Sequence, residues 1–318
     1  LHTSQHYQYE LNDLLENELF ETENFHRLPV SPDLLPSKRL TKMIDGIADF
    51  LNDQQPDAVL VYGDTDTTLA GALAANKMNI FLIHIEAGER SFNASMPEES
   101  NRIITDAVSQ VLFCASDKAE KNLQNENNRN RIIISGDVMK DLLLETANQL
   151  KSPLINEAYI FCTIHRHYNK NNPEKLLQLL AALENTNHKI IFPVHPATLQ
   201  TIQTLQRENF DIEYKNIQFI SPISYKQSIQ YQKFSKAIVT DSGGIQKEAY
   251  WLRRPCITFR KETEWVDTLT GGWNKLVYDD IATLVDLINA PLGPYNEDLY
   301  GNGFAATIIT DNLLKLIN

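Results

Sequence analysis

The 318-residue chain carries 29 Lys and Arg against 41 Asp and Glu, a formal charge of −12, with 42% hydrophobic residues. That is a globular composition, long enough for about two domains with their own cores, and its acidic balance supplies no basic stripe for a nucleic-acid backbone or an anionic membrane. Cys114, Cys162 and Cys256 stand far apart in apolar, strand-like runs, without zinc spacing and without a membrane-length apolar stretch or a recognisable signal peptide, so reduced buried thiols and a cytoplasmic location are expected.

The chain opens on Leu1 and enters a predicted helix at Tyr9 to Phe20, whereas an α/β domain ordinarily begins with a strand; an upstream segment of the natural protein is therefore expected. After Pro29, Pro32 and Pro36, residues Leu40, Met43, Ile44, Ile47 and Leu51 recur at helical spacing and predict an amphipathic helix over Ser37 to Asn52. Ala58 to Tyr62 is a short apolar strand ending at Gly63-Asp64-Thr65, before an alanine-rich helix from Thr67 to Asn76. The unit repeats as Ile80 to Ile85 before Glu86-Ala87-Gly88, as Val111 to Cys114, and as Ile132 to Ile134.

A helix from Val138 to Lys151 and the Ser152-Pro153 loop form a predicted bridge, after which strands at 159–163, 189–194, 217–220, 236–239 and 257–259 alternate with helices. The expected class is α/β, with two Rossmann-like domains whose parallel sheets face a central cleft. The first spans 1–150 and is completed by a C-terminal helix, 304–318; the second spans 151–303. Ligands of such sheets sit at the carboxyl ends of the strands.

Candidate chemistry gathers at those ends. The stretch Thr240-Asp241-Ser242-Gly243-Gly244-Ile245-Gln246-Lys247-Glu248-Ala249 reads as strand, turn and helix, a seat for phosphate in which Gly243 and Gly244 can take positive φ and admit a ligand. The structural alternative is a plain connection capped by Asp241 or Ser242. Asp64 either caps the next helix or faces the ligand, and Glu86 directly follows a strand at a glycine-bearing loop. Ser95-Met96-Pro97-Glu98 is a capping box, yet Glu98 and Arg102 also lie one helical turn apart, where an arginine can set a carboxylate's protonation or bind an anion. His165 and His195 open loops at predicted strand ends, and an imidazolium at His165 beside Arg166 would neutralise a pyrophosphate. No dinucleotide fingerprint, Walker loop or metal triad is present, so acids, bases and anion-binding groups must carry the chemistry.

Together, Gly63-Asp64-Thr65, His84-Ile85-Glu86-Ala87-Gly88, Met96-Pro97-Glu98-Glu99 with Asn101-Arg102, His165-Arg166 and Thr240 to Ala249 resemble the non-hydrolysing UDP-N-acetylglucosamine 2-epimerases, a GT-B-type family. The likeness runs from Gln5-His6 to Gly301-Asn302-Gly303. It implies a UDP-sugar substrate, no external cofactor, no metal and a homodimer. It also implies loss of the C2 proton with departure of UDP to give 2-acetamidoglucal, then return of UDP with protonation on the opposite face. By position, Asp64, Glu86 and Glu98 would be the acid/base carboxylates, with Arg102 and His165 positioning or neutralising groups. Ser242, Gly243 and Gly244 would hold the diphosphate, and Glu248 the ribose hydroxyls. Gln5, His6 and His195 match positions that some members use for a second, activating UDP-sugar.

Three departures stand out. The family's opening strand and its arginine-bearing loop would precede Leu1. Lys261-Glu262-Thr263-Glu264-Trp265 replaces the family's more usual Thr-Glu-Arg-Pro element and looks like the branch that includes UDP-2,3-diacetamido-glucuronic acid epimerases. Glu89, and Tyr168-Asn169 after His167, also differ from common family residues and bear on allosteric control. The alternatives to epimerisation of UDP-N-acetylglucosamine are the same reaction on the diacetamido-uronate, glycosyl transfer on the same fold, or UDP-sugar binding without turnover.

Overall fold

The computed structural model describes residues 1–3, 26–31, 34–94, 96–126, 128, 130–170, 172–194, 196–208 and 214–317. The helix expected at Tyr9 to Phe20, and the candidates Gln5, His6 and His195, lie outside the described residues. Two compact units are distinguished: Leu1–Asp141 with Asp298–Asn318, and Leu142–Glu297. The sequence reading had put these changes at 150 and 303.

The first unit opens with α1 (Pro36–Gln54), which has proline in its first turn and buries Met43, Ile47 and Leu51, the stripe predicted from spacing. Then follow β1 (Ala58–Tyr62), α2 (Asp66–Lys77), β2 (Phe81–Ala87), α3 (Pro97–Val108), β3 (Val111–Cys114), α4 (Asp117–Asn125), β4 (Arg131–Ile134) and α5 (Val138–Gln149). The sheet is parallel in the order β1-β2-β3-β4. Alternation along the strands sends Val61 and Leu82 to one face, with α1 and the alanines of α2, and Ile83, Ile85, Val111 and Phe113 to the other. Alanine suits α2 because small side chains let the helix lie close on the sheet; Ala70, Ala72, Ala74 and Ala75 are buried there.

The second unit contains β5 (Tyr159–Thr163), α6 (His167–Lys170), α7 (Pro173–Glu184), β6 (Lys189–Pro193), α8 (Pro196–Glu208), β7 (Ile217–Ile220), α9 (Tyr225–Phe234), β8 (Ala237–Thr240), α10 (Gly243–Trp251) and β9 (Cys256–Thr258). A 3₁₀ segment (Val266–Gly272) leads to β10 (Asn274–Leu276), and α11 (Leu284–Asn289) follows. The six strands are parallel in the order β10-β9-β8-β5-β6-β7. Strand β5 is buried on both faces: Ile160 and Cys162 join one core cluster, Tyr159 and Phe161 the other. Each such aliphatic or aromatic side chain contributes roughly 1.5–3 kcal/mol on burial. Strand β10 was not anticipated; three residues, two of them Asn and Lys, carry no apolar signature.

The chain then returns to the first unit as α12 (Ala305–Ile317). The Asp141 carboxylate accepts the Ala305 and Ala306 backbone N–H groups at 3.1 and 2.8 Å, satisfying two open donors at that helix start. Lys140 Nζ donates to the Leu299 and Gly301 carbonyls. A Cβ on Gly301, whose φ is +92°, would stand 2.7 Å from Gly136 Cα, so the backbones meet only because both residues are glycine. Ile309, Leu313 and Leu316 then cover the sheet face formed by Ile83, Ile85, Val111 and Phe113.

Candidate active site

In the first unit, candidate acids stand in the turn after β1 and, for Glu86, in the last residues of β2 rather than after it as expected from sequence. Thr65, not Asp64, caps α2: its Oγ1 accepts the Thr68 N–H. The Asp64 carboxylate instead pairs with the buried Arg102 guanidinium of α3, and Asn101 Nδ2 donates to the Asp64 carbonyl at 2.9 Å. Ser95, on which the expected capping box rests, lies outside the described residues; α3 starts at Pro97, and its N-cap Met96 makes no side-chain cap bond. Arg102 is held by Asp64 and by Glu99 at 3.1 Å, while Glu98 sits in the first turn of α3. Spacing of three residues brings Glu99 and Arg102 onto one face.

Glu86 occupies a bulge in β2, where pairing with β3 skips from Ile85 to Ala87, and its φ is +72°. A non-glycine residue there is strained, and bulges re-aim a side chain. The Glu86 carboxylate comes within 3.9 Å of the position a Cβ would take on Gly63, the residue before Asp64. Strands β1 and β2 are neighbours, so the structure brings Glu86 and the Asp64 turn together.

Behind these turns lies a network that was not read from the sequence. Buried His84 places Nδ1 2.7 Å from Asp106 Oδ1 and Nε2 2.8 Å from the Gly63 carbonyl. A carbonyl only accepts, so Nε2 carries a proton. Asp106 Oδ2 also accepts the Gly88 N–H at 3.1 Å and pairs with Arg90 at 2.7 Å. Arg90 forks onto Glu126 with two 2.7 Å bonds. Burial alone would lower the Arg90 pKa, but Glu126 and Asp106 outweigh it and the net shift is upward. Asp106 thus fixes the loop after Glu86 directly and the Gly63-Asp64 turn through His84. The available signal was a histidine in the middle of an otherwise apolar strand. For Glu99, burial raises the pKa, but bonds from Ser91 and Phe92 and the charge of Arg102 bring it below its ordinary value.

In the second unit, the stretch after β8 is organised by Asp241, which is fully buried. Its carboxylate accepts the His165 N–H at 3.0 Å, the Arg166 N–H at 2.9 Å and Asn169 Nδ2 at 2.9 Å. The half-exposed His165 ring places Nδ1 3.2 Å from the same group. The β5 and β8 ends are adjacent, Thr163 opposite Thr240, which puts the histidine loop beside the glycine turn. Ser242 is the N-cap of α10, with Oγ accepting the Ile245 N–H.

Gly243 and Gly244 do not take the positive φ allowed for in the sequence reading; both start the helix. At Gly243 the requirement is space: a Cβ would lie 2.7 Å from Glu264 Oε1 and 3.2 Å from Trp265 Nε1. Glu264 is held at 2.9 Å by buried Arg260. The Lys261 to Trp265 segment therefore packs directly beside the turn, and buried Lys247 places Nζ 3.8 Å from the Trp265 ring centroid. Glu248 is buried in α10 and accepts Gln232 Nε2 of α9 at 2.6 Å. Asp241, Glu264 and Gln232 were not selected as site residues from sequence; their signal is spatial.

Among the described residues no group of three or more His, Cys, Asp or Glu is arranged to hold a metal ion, and no helix is long and apolar enough to cross a membrane. Two parallel α/β sheets with acids at the strand ends of one unit and a glycine helix turn in the other define a GT-B-type protein. A solved Methanocaldococcus jannaschii UDP-GlcNAc 2-epimerase, in complex with UDP-GlcNAc and UDP, superposes with a TM-score of 0.88 at 32% identity, over 99% of this chain and 91% of that one. The family model for UDP-N-acetylglucosamine 2-epimerase matches residues 1–314, and the chain belongs to that family. Among curated relatives, a UDP-N-acetylglucosamine 2-epimerase homolog of Methanococcus maripaludis is 38% identical, and the UDP-2,3-diacetamido-2,3-dideoxy-D-glucuronate 2-epimerase of Pseudomonas aeruginosa is 37% identical. Each match covers 99% of this chain and 91% of the relative.

Proposed function

We propose that this protein is a non-hydrolysing sugar-nucleotide 2-epimerase that interconverts UDP-N-acetylglucosamine and its manno epimer, for surface polysaccharide synthesis. The observation that carries the reading is Glu86, a carboxylate held at a strained φ beside the Asp64 turn. Chemistry at C2 needs one group to take the proton from one face and another to return it on the opposite face. Two carboxylates on adjacent strand ends suit that division. Arg102 holds Asp64 in place, and Glu98 is the third candidate acid at the start of α3.

When the C2 proton leaves, the C1–O bond to UDP breaks and a C1–C2 double bond forms. Charge then accumulates on the departing diphosphate. The N–H groups around Ser242, Gly243 and Gly244 at the α10 N-terminus would hold that charge, with His165 beside them. Glu248, oriented by Gln232, would accept the ribose hydroxyls. Reversal with protonation from the other face completes epimerisation and consumes no cofactor.

A second substrate, the UDP-2,3-diacetamido-glucuronate, is favoured by one observation. Trp265 stands against the glycine turn in this chain, and the Pseudomonas relative bears that substrate in its name. A cytoplasmic homodimer completes the proposal; sedimentation analysis tests the dimer. Proton NMR with UDP-N-acetylglucosamine in deuterated water tests the reaction. Deuterium entering C2 as the manno epimer grows is expected. No exchange with either UDP-sugar would overturn the epimerase reading, and exchange with the uronate alone would assign that substrate.

A further inference from the structure

The first unit contains five described non-glycine residues at positive φ: Gln55, Asn79, Glu86, Phe92 and Tyr300. Three have ordinary reasons. Gln55 is the left-handed C-cap of α1, Asn79 follows the C-cap of α2, and Tyr300 is buried, so packing offsets its conformation. Glu86 and Phe92 remain. A phenylalanine at φ +57° is a steric outlier, and this one is 75% exposed, so burial of the ring does not offset the strain.

The conformation is imposed by a buried carboxylate. Glu99 accepts the Phe92 N–H at 2.9 Å, and the Ser91 N–H and hydroxyl at 2.8 Å each. The same Glu99 pairs with Arg102, which pairs with Asp64. The backbone that bears the exposed ring is thus anchored, through one carboxylate and one guanidinium, to a proposed reacting acid. Fixing the backbone beneath an apolar ring in water gains nothing for the free protein; it removes part of the ordering cost of a later contact.

We propose that Phe92 is a substrate-contacting, specificity-determining residue whose ring packs on the hexose of the UDP-sugar. The inference rests on the epimerase reading. The hexose is the part assigned because the loop is tied to the carboxylates that act at C2, whereas the diphosphate turn and Glu248 belong to the other unit. A C–H-rich pyranose face and its acetamido methyl are suitable partners for an aromatic face.

The test compares F92G and F92Y with the wild type in the full chain, reading kcat and KM by C2 deuterium exchange, UDP affinity by calorimetry and thermal stability. Glycine relieves the strain, so F92G melts at or above the wild-type temperature while kcat/KM for the UDP-sugar falls about tenfold. UDP, which lacks the hexose, binds F92G within about twofold of the wild type, and F92Y restores kcat/KM. Unchanged kcat/KM in F92G overturns the inference, as does a parallel loss of UDP affinity. A wild-type protein that turns over neither UDP-sugar overturns the epimerase reading itself, and this inference with it.

Discussion

Replacing Asp241 by asparagine removes the charge on which the second unit's strand ends converge. In one orientation the new amide nitrogen takes the place of Oδ2, where the Arg166 N–H and Asn169 Nδ2 both donate at 2.9 Å. Donor would then meet donor twice, and with about 1.5–3 kcal/mol for each bond to a charged acceptor the cost is about 3–6 kcal/mol. In the other orientation the nitrogen takes the place of Oδ1, and the His165 N–H keeps its longer 3.3 Å contact with the remaining oxygen. That loses about one charged bond and weakens the others, so the cheaper orientation sets an expected destabilisation of about 2–4 kcal/mol. Urea denaturation followed by tryptophan fluorescence suits the measurement, because Trp251, Trp265 and Trp273 all lie in this unit. A D241N stability within about 0.5 kcal/mol of the wild type, the range of an ordinary surface change, would refute the claim that Asp241 organises these loops.

Gly243→Ala forces a methyl against Glu264 and Trp265, and overpacking of about 1–3 kcal/mol with weakened UDP binding is expected by the same melt and by calorimetry. Glu86→Gln keeps UDP affinity and abolishes deuterium entry at C2; an unchanged exchange rate removes Glu86 from the catalytic set. Glu99 has a folded pKa below its ordinary 4.5, so its ionisation stabilises the fold above that value and ceases to do so as pH falls through the folded pKa. The stability gap between wild type and E99Q should therefore be full near neutrality and close below pH 4.5, as read by denaturation at each pH. Burial pushes the Cys256 thiol up to about 12, and Cys114 and Cys162 are buried too, so a thiol reagent labels none of them at pH 8 before unfolding.

Helices and strands with strong periodicity were legible: the stripe of α1 and the apolar runs of β1, β3, β5 and β7 follow from spacing. Strand β10 was not, because edge pairing through the backbone asks little of side chains. In the site, Asp64, Glu86 and Arg102 could be selected as residues but their partners could not. One helical turn of spacing suggested Glu98 for Arg102; the structure adds Glu99, three residues away on the same helix, and Asp64 from the turn after β1. A capping role for Asp64 was equally compatible with its position, and only Thr65 taking the Thr68 N–H decides against it. The strain at Glu86 and Phe92 leaves no trace in composition, since no residue type announces a positive φ except glycine and, weakly, asparagine.

The return of α12 to the first unit has a consequence for biosynthesis. Lys140 and Gly301, which meet in the finished protein, are 161 positions apart. On a ribosome adding about 5–20 residues per second, the contiguous second unit has its entire chain available while the sheet face of Ile83, Ile85, Val111 and Phe113 still awaits its covering helix. The nascent chain therefore carries an uncovered apolar face for roughly ten to thirty seconds, an interval of exposure to aggregation that the mature molecule does not have.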